Sequence, residues 1–160
     1  MLSRRQFTKT ASATALAAAL PTVGRAAPSE GMELLKKHDG IGLGALVRSG
    51  EVKPWELVEA TIQAIEAVDG QINAIPVRDF ERALDRADSI RPQGPFAGVP
   101  FSVKDTANVG GLPTAVGNKF FANSIPKQSY GLVRLYEAAG LIVVGKSNLP
   151  DMSLIPTTEG

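Results

Sequence analysis

The 160-residue sequence predicts an α/β fold in which a mixed β-sheet is wrapped by α-helices. Two short apolar runs, at residues 99–103 and 141–144, have the length and character of buried strands. Between them lies a segment with apolar residues at helical spacing, which Gly140 closes. A strand, a crossover helix and a second strand form a βαβ unit, so the two strands are expected to be parallel.

Three segments in the first half of the chain have apolar residues at intervals of three and four, which predicts amphipathic helices. The first follows a capping Asp39 and ends at Gly50. The second begins at Pro54, a residue suited to a first turn, and ends at residues 69–70. The third covers residues 79–90. Their apolar stripes are expected to face the core.

Pro100 and Lys104 mark the two ends of the first predicted strand. Proline cannot donate a ladder hydrogen bond, so Pro100 is expected at the start of the strand or on an edge. Lys104 then emerges at the carboxyl end, where open α/β sheets bind their ligands. Because parallel strands end on the same side, Lys104 and the loop at residues 145–148 are expected to be neighbours.

The charge of the chain gives no support for nucleic-acid binding. The sequence has 17 basic and 16 acidic residues, and four of the basic ones lie at positions 1–26. Without those four, 13 basic residues face 16 acidic ones, a net charge of about −3. Nucleic-acid binding depends on a basic surface, so no nucleic-acid partner is predicted.

The metal-binding residue types are nearly missing from the sequence. Cysteine is absent, which excludes disulfides, thiolate catalysis and zinc–thiolate sites. His38 is the only histidine, and it is expected to be a surface residue beside Asp39. No metal or organic cofactor is therefore predicted.

Residues 1–26 are predicted to be a twin-arginine signal peptide. Residues 3–9 read S-R-R-Q-F-T-K, an alanine-rich apolar run follows at 11–20, and residues 24–26 form a small-x-small cleavage site. Such a run is too short to span a bilayer, so no stable membrane anchor is expected after cleavage. The mature protein would begin near Ala27 and work in the periplasm or outside the cell. The alternative is a frayed alanine-rich helix.

Two ordered sequence blocks resemble the amidase signature family of serine hydrolases. Residues 94–105 read G-P-F-A-G-V-P-F-S-V-K-D, similar to the family pattern G-P-L-x-G-V-P-x-x-x-K-D. Residues 139–148 read A-G-L-I-V-V-G-K-S-N, similar to the family's Ala-Gly, short strand and Gly-Lys-Thr-Asn. The resemblance implies that residues 27–160 form the N-terminal portion of the amidase-signature fold, incomplete in this chain. It also implies a short edge strand at residues 72–75.

The resemblance assigns Lys104 as a catalytic residue. In the family a serine nucleophile is activated through a second serine by a lysine, and Lys104 occupies the position of that lysine. A lysine must be neutral to accept a proton, and bringing its pKa from about 10.4 to near 7 takes roughly 4 kcal/mol. The apolar residues before Lys104 are expected to supply desolvation, and Lys146 a nearby positive charge. Asp105, Lys146 and Ser147 are expected to fix loop geometry. Without the resemblance, Lys104 would be interpreted as a surface lysine at a strand end.

The two serines of the family lie in a glycine-flanked Ser-Ser segment that also binds the oxyanion. No such segment occurs in the 160 residues, and no Gly-x-Ser-x-Gly motif is present either. The chain is therefore expected to be inactive alone, as part of an enzyme that hydrolyses a small-molecule amide through an acyl-enzyme without a cofactor.

Two other functions are compatible with the same residues. The glutamyl-tRNA amidotransferase component of the A type shares these motifs, although an export signal argues against a partner of cytoplasmic tRNA. A short exported binding or structural module without catalysis would also keep these helices and strands. The sequence specifies neither the amide nor an oligomeric state.

Overall fold

The computed structural model describes residues 28–158 except residue 92. The predicted signal peptide at residues 1–26 and the predicted mature start at Ala27 lie outside the described residues. The helices are α1 (Pro28–Lys37), α2 (Gly40–Ser49), α3 (Pro54–Ile72), α4 (Phe80–Ser89) and α5 (Gly131–Ala138). The strands are β1 (Val77–Arg78), β2 (Pro100–Lys104) and β3 (Ile142–Ser147). Short 3₁₀ turns cover Lys119–Phe121 and Asp151–Ser153.

The three strands form one mixed sheet in the order β1-β3-β2. β1 pairs antiparallel with β3, and β2 pairs parallel with β3. Pro100 is the first residue of β2 and Lys104 is the last, as predicted. The predicted α/β architecture, a mixed sheet wrapped by helices, is confirmed.

Helices α2 and α3 begin where the sequence predicts. The Gly42 N–H donates a hydrogen bond of 2.8 Å to the Asp39 carboxylate, which caps α2. Gly50 follows the last residue of α2 with a φ of 80°, a conformation that glycine adopts without strain. At the start of α3, the Lys53 N–H donates a hydrogen bond of 2.7 Å to the Glu56 carboxylate.

The prediction of a strand at residues 72–75 is wrong. Helix α3 continues to Ile72, and the buried Asp69 carboxylate then accepts hydrogen bonds from the Ala74 N–H at 2.6 Å and the Ile75 N–H at 2.9 Å. These backbone donors are bound by a side chain and not by a neighbouring strand. The edge strand is β1, which comes after Ile75 and pairs with β3.

Strand β3 is longer than predicted and extends into the expected loop, taking in Gly145, Lys146 and Ser147. The added residues pair with β1, because Arg78 lies opposite Gly145 and Val77 lies opposite Lys146. A Cβ on Gly145 would lie 2.5 Å from the Val77 carbonyl oxygen, so glycine allows the close approach of β1.

Strand β3 lies at the centre of the hydrophobic core. One cluster joins α3 and α4 to β3 and consists of Val58, Ala83, Ala87, Ile142 and Val144. A second cluster joins β2 and β3 to α5 and the long connection before it, and consists of Val103, Val109, Leu112, Val133 and Val143. Burial on both sides explains why β3 is apolar along most of its length.

The segments that precede β2 and β3 pack directly on each other. The Phe96 N–H donates to the Ala139 carbonyl at 3.2 Å, and the Gly98 N–H donates to the Gly140 carbonyl at 2.8 Å. Gly94 has a φ of 82°, and a Cβ there would lie 2.5 Å from the Ala139 carbonyl oxygen. These contacts fix the starts of the two parallel strands side by side, so their carboxyl ends also lie together.

Within residues 28–158, no helix has both the length and the apolar character that crossing a membrane would require.

Candidate active site

Lys104 lies at the carboxyl end of β2 with an exposed side chain. Its Cα is paired with that of Ser147, the last residue of β3, and cross-strand partners share one face of a sheet. The predicted neighbourhood of Lys104 and the segment after residue 144 is therefore present. An exposed amine at a strand end can bind an anion when charged and accept a proton when neutral.

Lys146 lies on the opposite face from Lys104. The partner of Lys146 across the ladder is Val103, and consecutive residues of a strand point to opposite faces. A β-bulge produces this arrangement, because Phe101 pairs with Val143 and the next residue of β2 pairs with Gly145. Val144 is the extra residue of β3, and it shifts every later side chain by one position.

The ammonium of Lys146 is completely buried and fully bonded. It forms an ion pair of 2.5 Å with the Asp105 carboxylate and donates to the Thr114 hydroxyl at 2.7 Å and the Pro113 carbonyl at 2.8 Å. Lysine has three N–H donors, and these contacts use all of them. Burial lowers the pKa of Lys146, while its hydrogen bond to Asp105 and the charge of that carboxylate oppose the change.

The expected roles of the residues around Lys104 are therefore only partly found. Asp105 neutralises the charge of Lys146 on the other face, so the expectation that Lys146 acts as a neighbouring cation is wrong. Val103 points into the core, away from Lys104, and Lys104 is exposed in the described part of the chain. The expected desolvation of Lys104 is not supplied by these residues.

Asp105 holds a distant part of the long connection between β2 and α5. Its second carboxylate oxygen accepts hydrogen bonds from the Ala115 N–H at 3.0 Å and the Val116 N–H at 2.9 Å. The expected structural role of Asp105 is confirmed, and the sequence signal was an acidic residue directly after a buried strand. The identity of the loop that it holds could not be foreseen, because the partners lie ten and eleven positions further along.

A left-handed turn at Val116 and Gly117 was not predicted from the sequence. Their φ values are 53° and 70°, and a β-branched residue such as Val116 rarely adopts this conformation. The turn packs against the segment that follows β3. A Cβ on Gly117 would lie 2.6 Å from the Pro150 carbonyl oxygen, and the Met152 N–H donates to the Val116 carbonyl at 2.9 Å.

No group of three or more His, Asp or Glu side chains in residues 28–158 is close enough together to hold a metal ion. His38 is half-buried between α1 and α2.

A lysine at the carboxyl end of a buried parallel strand lies where α/β enzymes place their reacting groups. The sequence pattern of the amidase family matches residues 56–160, which include this strand end and both sequence blocks around it. The chain belongs to the amidase family.

Curated relatives in this family differ in what they act on. The chain is 39% identical over 124 residues to the A-type component of glutamyl-tRNA(Gln) amidotransferase from Salinispora tropica, which covers 73% of the chain and 25% of the relative. It is 40% identical over 126 residues to 6-aminohexanoate-cyclic-dimer hydrolase of Paenarthrobacter ureafaciens, covering 76% of the chain and 25% of the relative. The chain thus spans about a quarter of the length of the curated relatives it matches.

The fold is also similar to solved structures. The structure of 6-aminohexanoate cyclic dimer hydrolase aligns with a TM-score of 0.66 at 36% identity, over 72% of this chain and 24% of that one. This likeness agrees with the family membership and with the described α/β fold.

Proposed function

We propose that the complete protein is an amidase that hydrolyses a small-molecule carboxylic amide by a Ser-cisSer-Lys mechanism, with Lys104 as the general base. The observation that carries the proposal is the position of Lys104. It is an exposed amine at the carboxyl end of a parallel strand, inside the region that matches the amidase family. The two serines would come from a segment outside these 160 residues, because no glycine-flanked Ser-Ser pair occurs among them.

In the proposed reaction, neutral Lys104 takes a proton from the bridging serine, which in turn takes one from the nucleophilic serine. The nucleophilic oxygen bonds to the amide carbon, and the C–N bond then breaks. The leaving amine carries away a proton returned along the same path. Water next attacks the acyl-enzyme ester, releases the carboxylic acid and restores the serine. No step requires a redox partner.

A substitution of Lys104 tests the proposal in the protein expressed from its complete gene. K104A is expected to lower kcat by about 10²- to 10⁴-fold, the usual contribution of a general base. The matched control is K127A, because Lys127 is also exposed and lies outside the site. Turnover of aliphatic amides, anilides and peptide amides is followed by amine release. Wild-type turnover by K104A would contradict the assignment, and a wild-type protein that hydrolyses none of these amides would contradict the proposed function.

We also infer that residues 1–26 direct the protein to the twin-arginine export pathway, with residues 27–160 belonging to the amidase domain. The support is the order of the paired Arg4 and Arg5, the apolar run and the small-residue site in the sequence. Replacing both arginines by lysine is expected to leave the protein in the cytoplasm, whereas the wild-type protein is processed and found in the periplasm or medium. Equal distribution of the two forms on cell fractionation would contradict export.

A second candidate function is that of an amidotransferase component of the A type. It is favoured by the 39% identity to the glutamyl-tRNA(Gln) amidotransferase component from Salinispora tropica. The net charge of about −3 over residues 27–160 gives no support for a tRNA partner. Copurification with a second protein chain, together with amide transfer to an aminoacyl-tRNA, would favour this second function over free amide hydrolysis.

A further inference from the structure

The Asp105–Lys146 ion pair is the most deeply buried charged group of the described residues. Lys146 has no exposed surface and Asp105 is 4% exposed. Five contacts converge on the pair, and they join three parts of the chain: the end of β2, the end of β3 and residues 113–116. The pair therefore connects segments that no apolar cluster holds together at this point.

Stability alone gives a weak reason for such a pair. Removing two charges from water is costly, and replacing a buried pair by uncharged residues of similar shape is often neutral or stabilising. A pair kept in this environment is better explained by the geometry that it imposes. Burial also lowers the pKa of Lys146, so the carboxylate of Asp105 is needed to keep the ammonium charged.

The geometry imposed by the pair reaches Lys104 through the backbone. Asp105 directly follows Lys104, and the Asp105 N–H donates to the Ser147 carbonyl at 3.2 Å. The Ala107 N–H donates to the Lys104 carbonyl at 3.0 Å, which closes a turn after the strand. With its side chain anchored to Lys146 and its N–H to β3, Asp105 cannot rotate. The direction in which the Lys104 side chain leaves the strand is thereby fixed.

The same carboxylate holds the left-handed turn at Val116 and Gly117. A residue such as Val116 in this conformation costs about 1–3 kcal/mol and persists only where its surroundings hold it. The hydrogen bonds from Ala115 and Val116 to Asp105 provide that hold. Strained backbone of this kind clusters at active sites and ligand clamps.

We propose that the buried Asp105–Lys146 pair is a positioning device for the reaction, which holds Lys104 in a fixed relation to the Val116–Gly117 turn. The proposal rests on the proposed amidase function. Asp105 and Lys146 are positioning residues, since neither is exposed to a substrate.

The test uses the protein expressed from its complete gene, with the variants K146M, D105N and D105N/K146M. Methionine keeps an unbranched chain of similar length without the charge, and asparagine keeps the shape of aspartate. K146M leaves a buried carboxylate without its partner, so its melting temperature is expected to fall. The double variant removes both charges and is expected to melt close to the wild-type protein.

The double variant separates positioning from stability. We expect its kcat to fall at least ten-fold while its KM stays within two-fold, because the amide still binds but Lys104 and the turn are no longer held. The exposed-lysine variant K127A is again the control. A stable double variant with wild-type kcat, measured on an amide that the wild-type protein hydrolyses, would overturn the pair's role and leave the proposed function standing.

Hydrogen exchange supplies a readout that needs no activity. In K146M, the N–H groups of Ala115 and Val116 are expected to exchange at least ten-fold faster than in the wild-type protein, while exchange within α3 stays unchanged. Unchanged exchange at these two positions would overturn the proposal. A wild-type protein without activity on any amide would instead overturn the proposed function, and with it the catalytic role of the pair, so the two failures are distinguishable.

Discussion

Lys104 and Lys146 end neighbouring parallel strands and leave the sheet on opposite faces, one exposed and the other completely buried. Both follow a short apolar run, and sequence alone treats them as similar residues. Their surroundings give them different chemistry. The exposed lysine is available for a reaction, whereas the buried one has every donor occupied. Three testable predictions concern the framework that keeps these strand ends in place.

The first prediction concerns Gly140, which has a φ of 100°. A Cβ there would lie 2.5 Å from the Gln93 carbonyl oxygen and 2.8 Å from the Ala97 Cα, and neither backbone atom can move freely. G140A is therefore expected to lower the free energy of unfolding by about 3 kcal/mol or more, measured by denaturant titration. The matched control is G131A, because nothing lies within 4 Å of a Cβ at Gly131. The control is expected to be neutral or stabilising by up to about 1 kcal/mol; equal effects of the two variants would contradict the prediction.

The second prediction concerns the pH dependence of stability at Asp69. The hydrogen bond from the Ile75 N–H lowers the pKa of the Asp69 carboxyl, with further contributions from Arg78 and the Ala74 N–H, while burial opposes them. A carboxyl whose pKa is lowered by folding stabilises the protein above its unfolded pKa of about 3.9, and this contribution is lost as the pH falls through the folded value. D69N is expected to be about 2 kcal/mol less stable at pH 7, and the difference should shrink below about pH 4.

Urea titrations of D69N at pH 7 and at acidic pH check this prediction. The control is D85N, which changes an exposed carboxylate on α4 and is expected to alter stability by less than about 0.5 kcal/mol. A stability difference for D69N that stays constant down to pH 3 would show that the charge of Asp69 is not responsible.

The third prediction concerns Arg48, whose guanidinium donates to the Gly94 carbonyl at 2.8 Å and the Pro95 carbonyl at 2.9 Å. These bonds tie α2 to the segment that leads into β2. Because the side chain is exposed, R48A is expected to cost only about 1 kcal/mol of stability. Hydrogen exchange should rise at residues 94–98, and R134A, exposed on α5, should leave that segment unchanged. Exchange at residues 94–98 that R48A leaves unaltered would contradict the assigned role.

Local signals predicted much of the framework. The caps at Asp39 and Gly50, the proline at the start of β2 and the glycine after α5 each act within a few residues, so they are visible in the sequence. The helix predicted at residues 79–90 is α4, and the two apolar runs form the predicted parallel pair. The position of Lys104 followed from the same local pattern.

The errors arose where a side chain decides the backbone conformation from a distance. Ile72 belongs to α3 and the residues after it form no strand, because the Asp69 carboxylate accepts from Ala74 and Ile75. The burial of Lys146 could not be foreseen, since a lysine after glycine indicates a loop and its partners lie elsewhere in the chain. The left-handed Val116 has no local signal, because valine rarely adopts that conformation.

The bulge at Val144 makes the chemistry of the strand ends depend on a count of residues. With one residue fewer between Val143 and Lys146, the ladder would keep its hydrogen bonds but exchange the two faces from that point on. A second ammonium would then stand beside Lys104, and Asp105 would lose its counter-charge. An insertion or deletion of one residue here is therefore more disruptive than most substitutions, although it changes no side chain that reacts.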